Sequence, residues 1–262
     1  MKNNILLLII PLITNLYAQE YFQQEVNYNI NVTLNDQEHT LNGHIDIEYI
    51  NNSNEPLDTL WFHLWPNAYK NNSTALAQQK LEEGDTEFYY ANELERGYID
   101  NIAFKVDDKL VQWEYHPEHI DICKLMLSNT LNPGDTIKIS TPFLVKIPDG
   151  KFSRLGHVQQ SYMITQWYPK PAVYDKEGWH IMPYLNQGEF YSEFGNFDVT
   201  ITLPNNYIVG ATGNLQTESE IAYLNSLAKK TESISDFGND ISFPKSNLKT
   251  KTIQYTEQNV HD

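Results

Sequence analysis

Short runs in which apolar and polar residues alternate fill most of this chain, and they constrain its fold more than any other feature. A period of two puts all apolar side chains on one face of a β-strand, so each run can bury one face and keep the other in water. Turn sequences such as NNSNEP, NPG and the DD pair at 107–108 separate the runs. We expect strands at 28–35, 41–51, 57–64, 101–106, 109–115, 121–127, 135–148, 161–168, 197–204, 207–213 and 250–256.

Helical periodicity is confined to two short segments. The first is STALAQQKLEEG at 73–84, with Ser73 as its N-cap and Gly84 just past its end. The second is EIAYLNSLAKK at 220–230, inside a polar insertion at 217–247. Neither is long enough to organise a helical domain. The sequence therefore predicts an all-β fold, a multi-sheet β-sandwich with one or two short helices.

The chain opens with the features of a secretory signal peptide at residues 1–18. One basic residue precedes an apolar run at 5–13, and a small residue, Ala18, stands before the expected cleavage point at Gln19. The run is too short to span a bilayer, and Pro11 interrupts it. We therefore expect a mature protein with no membrane span that is secreted, periplasmic or at the cell surface.

Charge and cysteine content narrow the range of partners. The formal net charge of −16 argues against nucleic acid and anionic membranes, because both would repel an acidic surface. The single cysteine, Cys123, excludes an internal disulfide. Its place in the alternating run DICKLML predicts a buried, unreactive thiol.

A search for catalytic motifs finds no complete set. The eight histidines include no HExxH pair, and HPEH at 116–119 is interpreted as a turn between strands. No GxSxG sequence is present. The segment GEFYSEFGNFD contains Glu189, Glu193 and Asp198. On a strand, Glu189 and Glu193 would share a face and could form an acid–base pair; the alternative is a solvated edge beside aromatic packing. We assign no catalytic and no metal-ligating residue.

The segment ITQWYPKPAVYDKEGWH at 164–180 is unusually aromatic and rich in proline. Its prolines remove backbone donors and hold the chain extended. Trp167, Tyr168 and Tyr174 would then form rigid aromatic surfaces. A domain interface, a substrate wall and a buried local core all remain open for this segment.

This segment, with the following GEFYSEFGNFDVTITLP and YIVGATGNL, resembles the N-terminal β domain of the membrane alanyl aminopeptidase family. The members are zinc metallopeptidases of the gluzincin type. LNGHIDIEYINNS and LDTLWFHLWPNAY resemble the opening sheet of that domain. The resemblance runs from about residue 25 to residue 262 and is strongest over 161–215. It points to a secreted bacterial branch that carries QWYPK, a GW pair and GEFY.

The resemblance implies two substrate-binding residues. In the family, this domain is a saddle of β-sheets, and a TQ-x-E-like segment at its rim reaches the active site. Thr165 and Gln166 match, so Gln166 is expected to face the first substrate side chain. The acidic position falls on Tyr168, which cannot form an ion pair with the substrate ammonium group. The resemblance therefore leaves that amine to a carboxylate elsewhere or relaxes aminopeptidase specificity.

The resemblance also implies a domain plan. Residues 19–256 correspond to the β domain, and 257–262 to the start of a junction with a catalytic domain missing from this chain. That domain would carry the HExxH helix, the GAMEN-like loop and the zinc ion, and none of these is in this chain. The expected function is to cap the substrate cleft of a secreted zinc metallopeptidase that hydrolyses peptides, the chain alone being inactive. The alternative is a non-catalytic secreted β-sandwich that binds carbohydrate or peptide through its aromatic patch.

Overall fold

The computed structural model describes residues 21–188, 190–238 and 242–261. The predicted signal peptide at 1–18 and Glu189 lie outside these ranges. The helices are a 3-10 helix (Trp65–Tyr69), α1 (Ala75–Glu82) and α2 (Glu218–Glu232). The strands are β1 (Glu25–Asn35), β2 (Thr40–Ile50), β3 (Leu57–His63), β4 (Tyr98–Asp100), β5 (Lys105–Val106), β6 (Lys109–Leu110), β7 (Trp113–Tyr115), β8 (Ile122–Leu131), β9 (Thr136–Lys146), β10 (Gly156–Val158), β11 (Ser161–Met163), β12 (Lys170–Pro171), β13 (Tyr174–Asp175), β14 (Gly178–Trp179), β15 (Gly195–Pro204), β16 (Asn214–Leu215) and β17 (Thr250–Val260).

A large sheet runs in the order β16-β17-β15-β1-β2-β9-β5-β6, and β4 also pairs with β9. The strands predicted at 28–35 and 41–51 are confirmed as β1 and β2, which pair antiparallel along their whole length from Glu25↔Ile50 to Asn35↔Thr40. Strand β15 lies parallel to β1, with Tyr28 opposite Phe197. This parallel pairing joins the last third of the chain to its beginning.

A smaller sheet in the order β12-β3-β8-β7 packs on the large one. The alternation seen in the sequence decides which side chains meet: in β1 the residues at 26, 28, 30 and 32 are buried, and those between them face outward or are only partly covered. The all-β sandwich with short helices is thus confirmed. The main core between the sheets includes Val26, Ile30, Ile45, Ile47, Tyr49, Leu60, Phe62, Phe104, Cys123, Leu125, Phe143, Val145 and Tyr168.

Two predicted strands are broken into shorter pieces, of which β5 and β6 extend the large sheet beyond β9 and β7 pairs with β8 in the smaller sheet. The segments at 101–106 and 109–115 pair only at their ends, as β5, β6 and β7. Pro142 in β9 has no N–H to donate, and beside it Thr141 accepts the Ala103 N–H through its hydroxyl oxygen, at 2.9 Å. The predicted turn at 107–108 is confirmed, since both aspartates have positive φ as a two-residue hairpin requires.

Two other strand predictions are largely wrong. Of 161–168, only β11 at its start is a strand, because Gln166 has a φ of 52° and Pro169 follows. The segment 207–213 is irregular. Its carbonyl groups find side-chain donors instead of a neighbouring strand: Lys251 Nζ donates to the Tyr207 carbonyl and Tyr255 Oη to that of Val209.

Both predicted helices are present. Thr74, not Ser73, is the N-cap of α1, because its buried hydroxyl accepts the Ala77 N–H at 3.3 Å. Gly84 follows the helix with a φ of 81°, as expected. Helix α2 spans the predicted segment and holds to the sheet through Glu220, whose carboxylate accepts from Lys251 Nζ at 2.5 Å.

The remaining sequence expectations concern local features. Cys123 is buried, and burial raises the pKa of its thiol, which confirms an unreactive side chain. HPEH at 116–119 is a turn between β7 and β8, as predicted. Strand β17 continues through 257–260, the stretch expected to begin a junction. Within the described ranges, no helix has the length and apolarity needed to cross a membrane.

A stacked histidine pair ties the β1–β2 turn to the β10–β11 hairpin. The rings of His39 and His157 are 3.6 Å apart between centroids, and Nδ1 of His39 lies 2.7 Å from Tyr162 Oη. Burial, and next the neighbouring His157, lower the pKa of His39, while Asp36 and Glu38 oppose the shift. Burial also lowers the pKa of His157; Lys146 adds to that, while the backbone of Gln159 and the Asp149 carboxylate oppose it. The pair is therefore most stable with both rings neutral.

Substituting Phe62 tests the main core. Its ring is fully buried and packs 4.9 Å from that of Phe104. We expect Phe62→Ala to lower the free energy of unfolding by about 3–5 kcal/mol, because it leaves a cavity between the sheets. Urea unfolding followed by circular dichroism measures this. The control Leu110→Ala, at an exposed position, should change stability by less than about 0.5 kcal/mol, and an equal loss in both variants would contradict the assignment.

The histidine pair predicts a loss of stability in mild acid. Because both pKa values lie below 6.5 in the folded protein, the unfolded chain binds more protons as pH falls below about 6.5. The free energy of unfolding should therefore decrease from about pH 7.5 to about pH 5, and by less in the double variant His39→Gln, His157→Gln. His44→Gln, on the exposed face of β2, is the control. The prediction fails if the double variant and the control have the same pH dependence.

Candidate functional site

The aromatic segment lies along the edge of the smaller sheet. After β11 the chain runs irregularly through 164–169, and then β12 pairs with β3, with Lys170 opposite His63 and Pro171 opposite Phe62. Pro171 has no backbone N–H to donate, and this is tolerated because β12 is an edge strand of the smaller sheet. The edge of the sandwich thus fixes the course of the whole segment.

Most aromatic rings of this segment are packing groups. Tyr168 is 5% exposed, and its ring lies edge-on to Tyr28 at 5.6 Å between centroids. Trp167 lies 5.9 Å from Phe143, and Trp179 packs with Tyr174 at 4.9 Å against the main core. Of the three readings left open by the sequence, local core packing therefore describes these rings.

The two residues expected to bind substrate have different surroundings. Tyr168 is within the main core, whereas Gln166 is half-buried on the irregular segment. Oε1 of Gln166 accepts a hydrogen bond from Lys170 Nζ at 2.6 Å. Lys170 is 1% exposed, and its ammonium group also donates to Ser192 Oγ at 3.2 Å. A buried cation thus holds the amide of Gln166 in one orientation.

Behind Lys170, polar side chains bind the backbone of the next irregular stretch to the smaller sheet. Nε2 of His63 accepts the Met182 N–H at 3.3 Å, and Trp65 Nε1 donates to the Met182 carbonyl at 3.1 Å. Asp121 accepts the Tyr184 N–H at 2.7 Å, and burial raises the pKa of Asp121 to about 6. These anchors were not predicted from the sequence, although a polar residue at the end of an apolar run is a signal for them.

Glu193 is a buried carboxyl group beside a small cavity. It is 3% exposed and accepts the Tyr174 N–H through Oε1 at 3.3 Å. Burial raises the pKa of Glu193 to about 7, although the backbone N–H groups of Tyr174 and Gln24 oppose the shift. The cavity has a volume of about 40 Å³, which is room for a water molecule or two. It is lined by Tyr21, Phe22, Gln23, Val173, Asp175, Lys176, Tyr191 and Glu193.

The strand on which the sequence placed its paired carboxylates does not form. Residues 190–194 form no strand, so the alternation that would align Glu193 with its neighbours is absent. Glu189 lies outside the described residues. Asp198 is on β15 and accepts both hydrogen bonds from Gln254 Nε2, at 2.7 and 2.9 Å. Glu193 and Asp198 thus have separate structural partners.

The described residues include no set of side chains suited to bind a zinc ion. No group of three or more histidine, cysteine, aspartate or glutamate side chains among them is placed to hold a metal ion. His116 and His119, the nearest pair in sequence, stack face to face at 5.1 Å between centroids. We derive no metal-dependent step from these residues.

Comparisons with known proteins add similarities in structure only. No protein-family model and no curated protein matches the sequence. An M1 zinc metallopeptidase from Deinococcus radiodurans, bound to a Tyr-Ser-Ala substrate, is similar with a TM-score of 0.45 and 14% identity over 89% of this chain and 39% of that one. A second structure of the M1 enzyme from that organism has a TM-score of 0.44 and 15% identity over the same shares. A two-domain M1 zinc metallopeptidase bound to L-tryptophan has 0.45 and 14%, again over 89% and 39%.

This chain therefore spans 39% of the length of those solved proteins. Similarity of this size does not establish an activity.

The raised pKa of Glu193 predicts a pH-dependent cost to stability. Its folded pKa of about 7 lies above the ordinary 4.5, so ionisation destabilises the fold as pH rises through this interval. Glu193→Gln stays neutral and can still accept the Tyr174 N–H. Relative to the parent, the variant should gain up to about 3 kcal/mol of unfolding free energy between about pH 4.5 and about pH 8. Urea titrations across that range, with exposed Glu118→Gln as control, measure it; a constant difference would contradict the assignment.

Proposed function

We propose that this chain is the N-terminal β domain of a secreted zinc metallopeptidase resembling an aminopeptidase, and that it lines the substrate cleft. The observation that carries the proposal is the segment at 164–171. Its TQWYPKP sequence resembles the cleft-rim motif of the family, and its Gln166 amide is held by the buried Lys170. A fixed polar group on an edge segment is what a substrate-positioning surface requires.

In this proposal the chain positions the peptide and another domain performs the chemistry. Bound zinc would supply activated water for attack on the peptide carbonyl carbon, and its ligands would come from a separate catalytic domain. The sandwich contributes rigidity, since Lys170 is anchored both by the pairing of β12 with β3 and by its hydrogen bond to Ser192. Rigid placement of a substrate raises the rate because less entropy is lost on reaching the transition state.

The substrate ammonium group needs a carboxylate that the motif does not supply. Tyr168 occupies the acidic position of the motif, and its ring packs against Tyr28 and Phe197 in the main core. We therefore assign Tyr168 to the wall behind the rim. The carboxylate for the ammonium group would then come from the zinc-bearing domain.

The carbohydrate- or peptide-binding alternative would need aromatic faces open to solvent. Trp167, Tyr174 and Trp179 instead pack against the main core, and Tyr168 belongs to it. This packing takes part of each of these rings out of solvent, so it favours the cleft-lining role over an aromatic binding platform.

The test compares this chain with a longer product. We would express residues 19–262 alone and together with the coding sequence that follows, and assay both on aminoacyl-p-nitroanilides and short peptides. Only the longer protein, with an HExxH sequence in its added part, should hydrolyse them. A chelator should abolish that activity and zinc should restore it. Chelator-sensitive hydrolysis by residues 19–262 alone, or no HExxH in the added part, would overturn the proposal.

A further inference from the structure

The contact between Lys170 and Gln166 shows which atom of the Gln166 side-chain amide is already hydrogen-bonded. An ammonium group has three donors and no acceptor, so the atom that faces Lys170 Nζ at 2.6 Å must be the amide oxygen. Within the described ranges no hydrogen bond involves Nε2 of Gln166, and this nitrogen is not among the buried polar atoms that lack a partner, so it is open to solvent. The group that Gln166 offers to a ligand is therefore its NH₂, a hydrogen-bond donor.

Lys170 is held so that this orientation persists. Its backbone pairs with His63 on β3, and its ammonium group lies 4.6 Å from the centroid of the Trp65 ring and 5.6 Å from that of Tyr168. Moving a buried ammonium group away from its acceptors costs several kcal/mol of lost solvation. The Gln166 oxygen is therefore a fixed part of the environment of Lys170.

The backbone around Gln166 is also unusual. Gln166 has a φ of 52°, in the left-handed region that few residues other than glycine adopt. The hydroxyl oxygen of the neighbouring Thr165 is buried and has no hydrogen-bond partner among the described residues. Strained backbone conformations cluster at active sites and ligand-binding sites, and a buried polar group without a partner calls for an explanation.

We infer that Lys170 is a positioning residue that presents the Gln166 amide N–H to a carbonyl oxygen of the peptide substrate. The inference rests on the proposed function and revises one expectation from the sequence, that Gln166 faces the first substrate side chain. A donor suits the peptide backbone, since a carbonyl oxygen accepts and an ammonium group does not. Recognition of the backbone is independent of the side chain that follows it.

Steady-state kinetics of the full peptidase test this assignment. Lys170→Met releases the amide, so KM should rise about three- to tenfold with kcat within about twofold, which corresponds to one neutral hydrogen bond. Gln166→Ala should raise KM by a similar factor on peptides that begin with alanine, leucine or lysine. An effect that depends on the first side chain would overturn the backbone assignment.

Gln166→Glu separates the two possible ligands without disturbing the core. The carboxylate keeps its contact with Lys170 but presents an oxygen in place of NH₂. Repulsion from a substrate carbonyl should raise KM, whereas contact with a substrate ammonium group would lower it. A lowered KM overturns the inference.

A matched lysine controls for general destabilisation. Lys80 is also buried, donates to the Phe152 carbonyl at 2.8 Å and pairs with Asp85 at 2.6 Å. Lys80→Met should lower stability while leaving KM within about twofold of the parent value. If Lys80→Met and Lys170→Met raise KM equally, the role of Lys170 is structural and the inference falls.

A measurement that needs no activity separates failure of the inference from failure of the proposed function. NMR relaxation of the Gln166 side-chain NH₂ in residues 19–262 should show an ordered amide that becomes mobile in Lys170→Met and remains ordered in Lys80→Met. Equal mobility in the parent and in Lys170→Met overturns the positioning role. An amide that Lys170 orders supports that role even in a protein without peptidase activity, where the proposed function is what fails.

Discussion

The burial of one apolar face of the large sheet against the smaller sheet is the interaction on which the rest of this structure depends. Alternate side chains of β1, β2 and β9 meet those of β3 and β8 in a main core that has no disulfide to support it. At about 25 cal/mol for each Å² of apolar surface removed from water, such an interface is the dominant favourable contribution to folding. The irregular segments keep their positions only because they rest on this core.

Buried polar groups take over from strand pairing along the edge of the smaller sheet. From Gln166 to Glu193 the chain forms only short pairs of strands, so much of its backbone needs other partners. His63, Asp121 and Glu193 accept backbone N–H groups there, while Trp65 donates to a backbone carbonyl. Lys170 belongs to the same set, but its acceptors include the side chains of Gln166 and Ser192. This difference makes Gln166 the outward end of a buried polar network, which is why we connect it with ligand binding.

The accuracy of the sequence predictions follows from where each segment lies. Residues 28–35 and 41–51 were predicted well because alternation and a short turn suffice to form a hairpin. Residues 207–213 have a similar pattern, yet Lys251 and Tyr255 satisfy their carbonyl groups and no strand forms. Pattern predicts which residues can pair in a sheet, but it does not show whether a neighbouring strand is available. The site was limited in the same way, because the motif pointed equally to Gln166 and Tyr168. Only the structure shows that the Gln166 amide is half-exposed whereas the Tyr168 ring is packed in the core.

The sequence by itself determined the all-β class, most strand positions and both helices, because local periodicity and turn chemistry act over a few residues. It also determined that Cys123 would be buried, since the residue stands on the apolar side of an alternating run. Only the tertiary structure decided that β15 would pair with β1 and that Lys170 would lie beneath Gln166. The pairing of β15 with β1 depends on contacts between residues about 170 positions apart. The position of Lys170 depends on the left-handed backbone at Gln166 and on the packing of the Lys170 ammonium group against the Trp65 ring. Neither leaves a local pattern in the sequence.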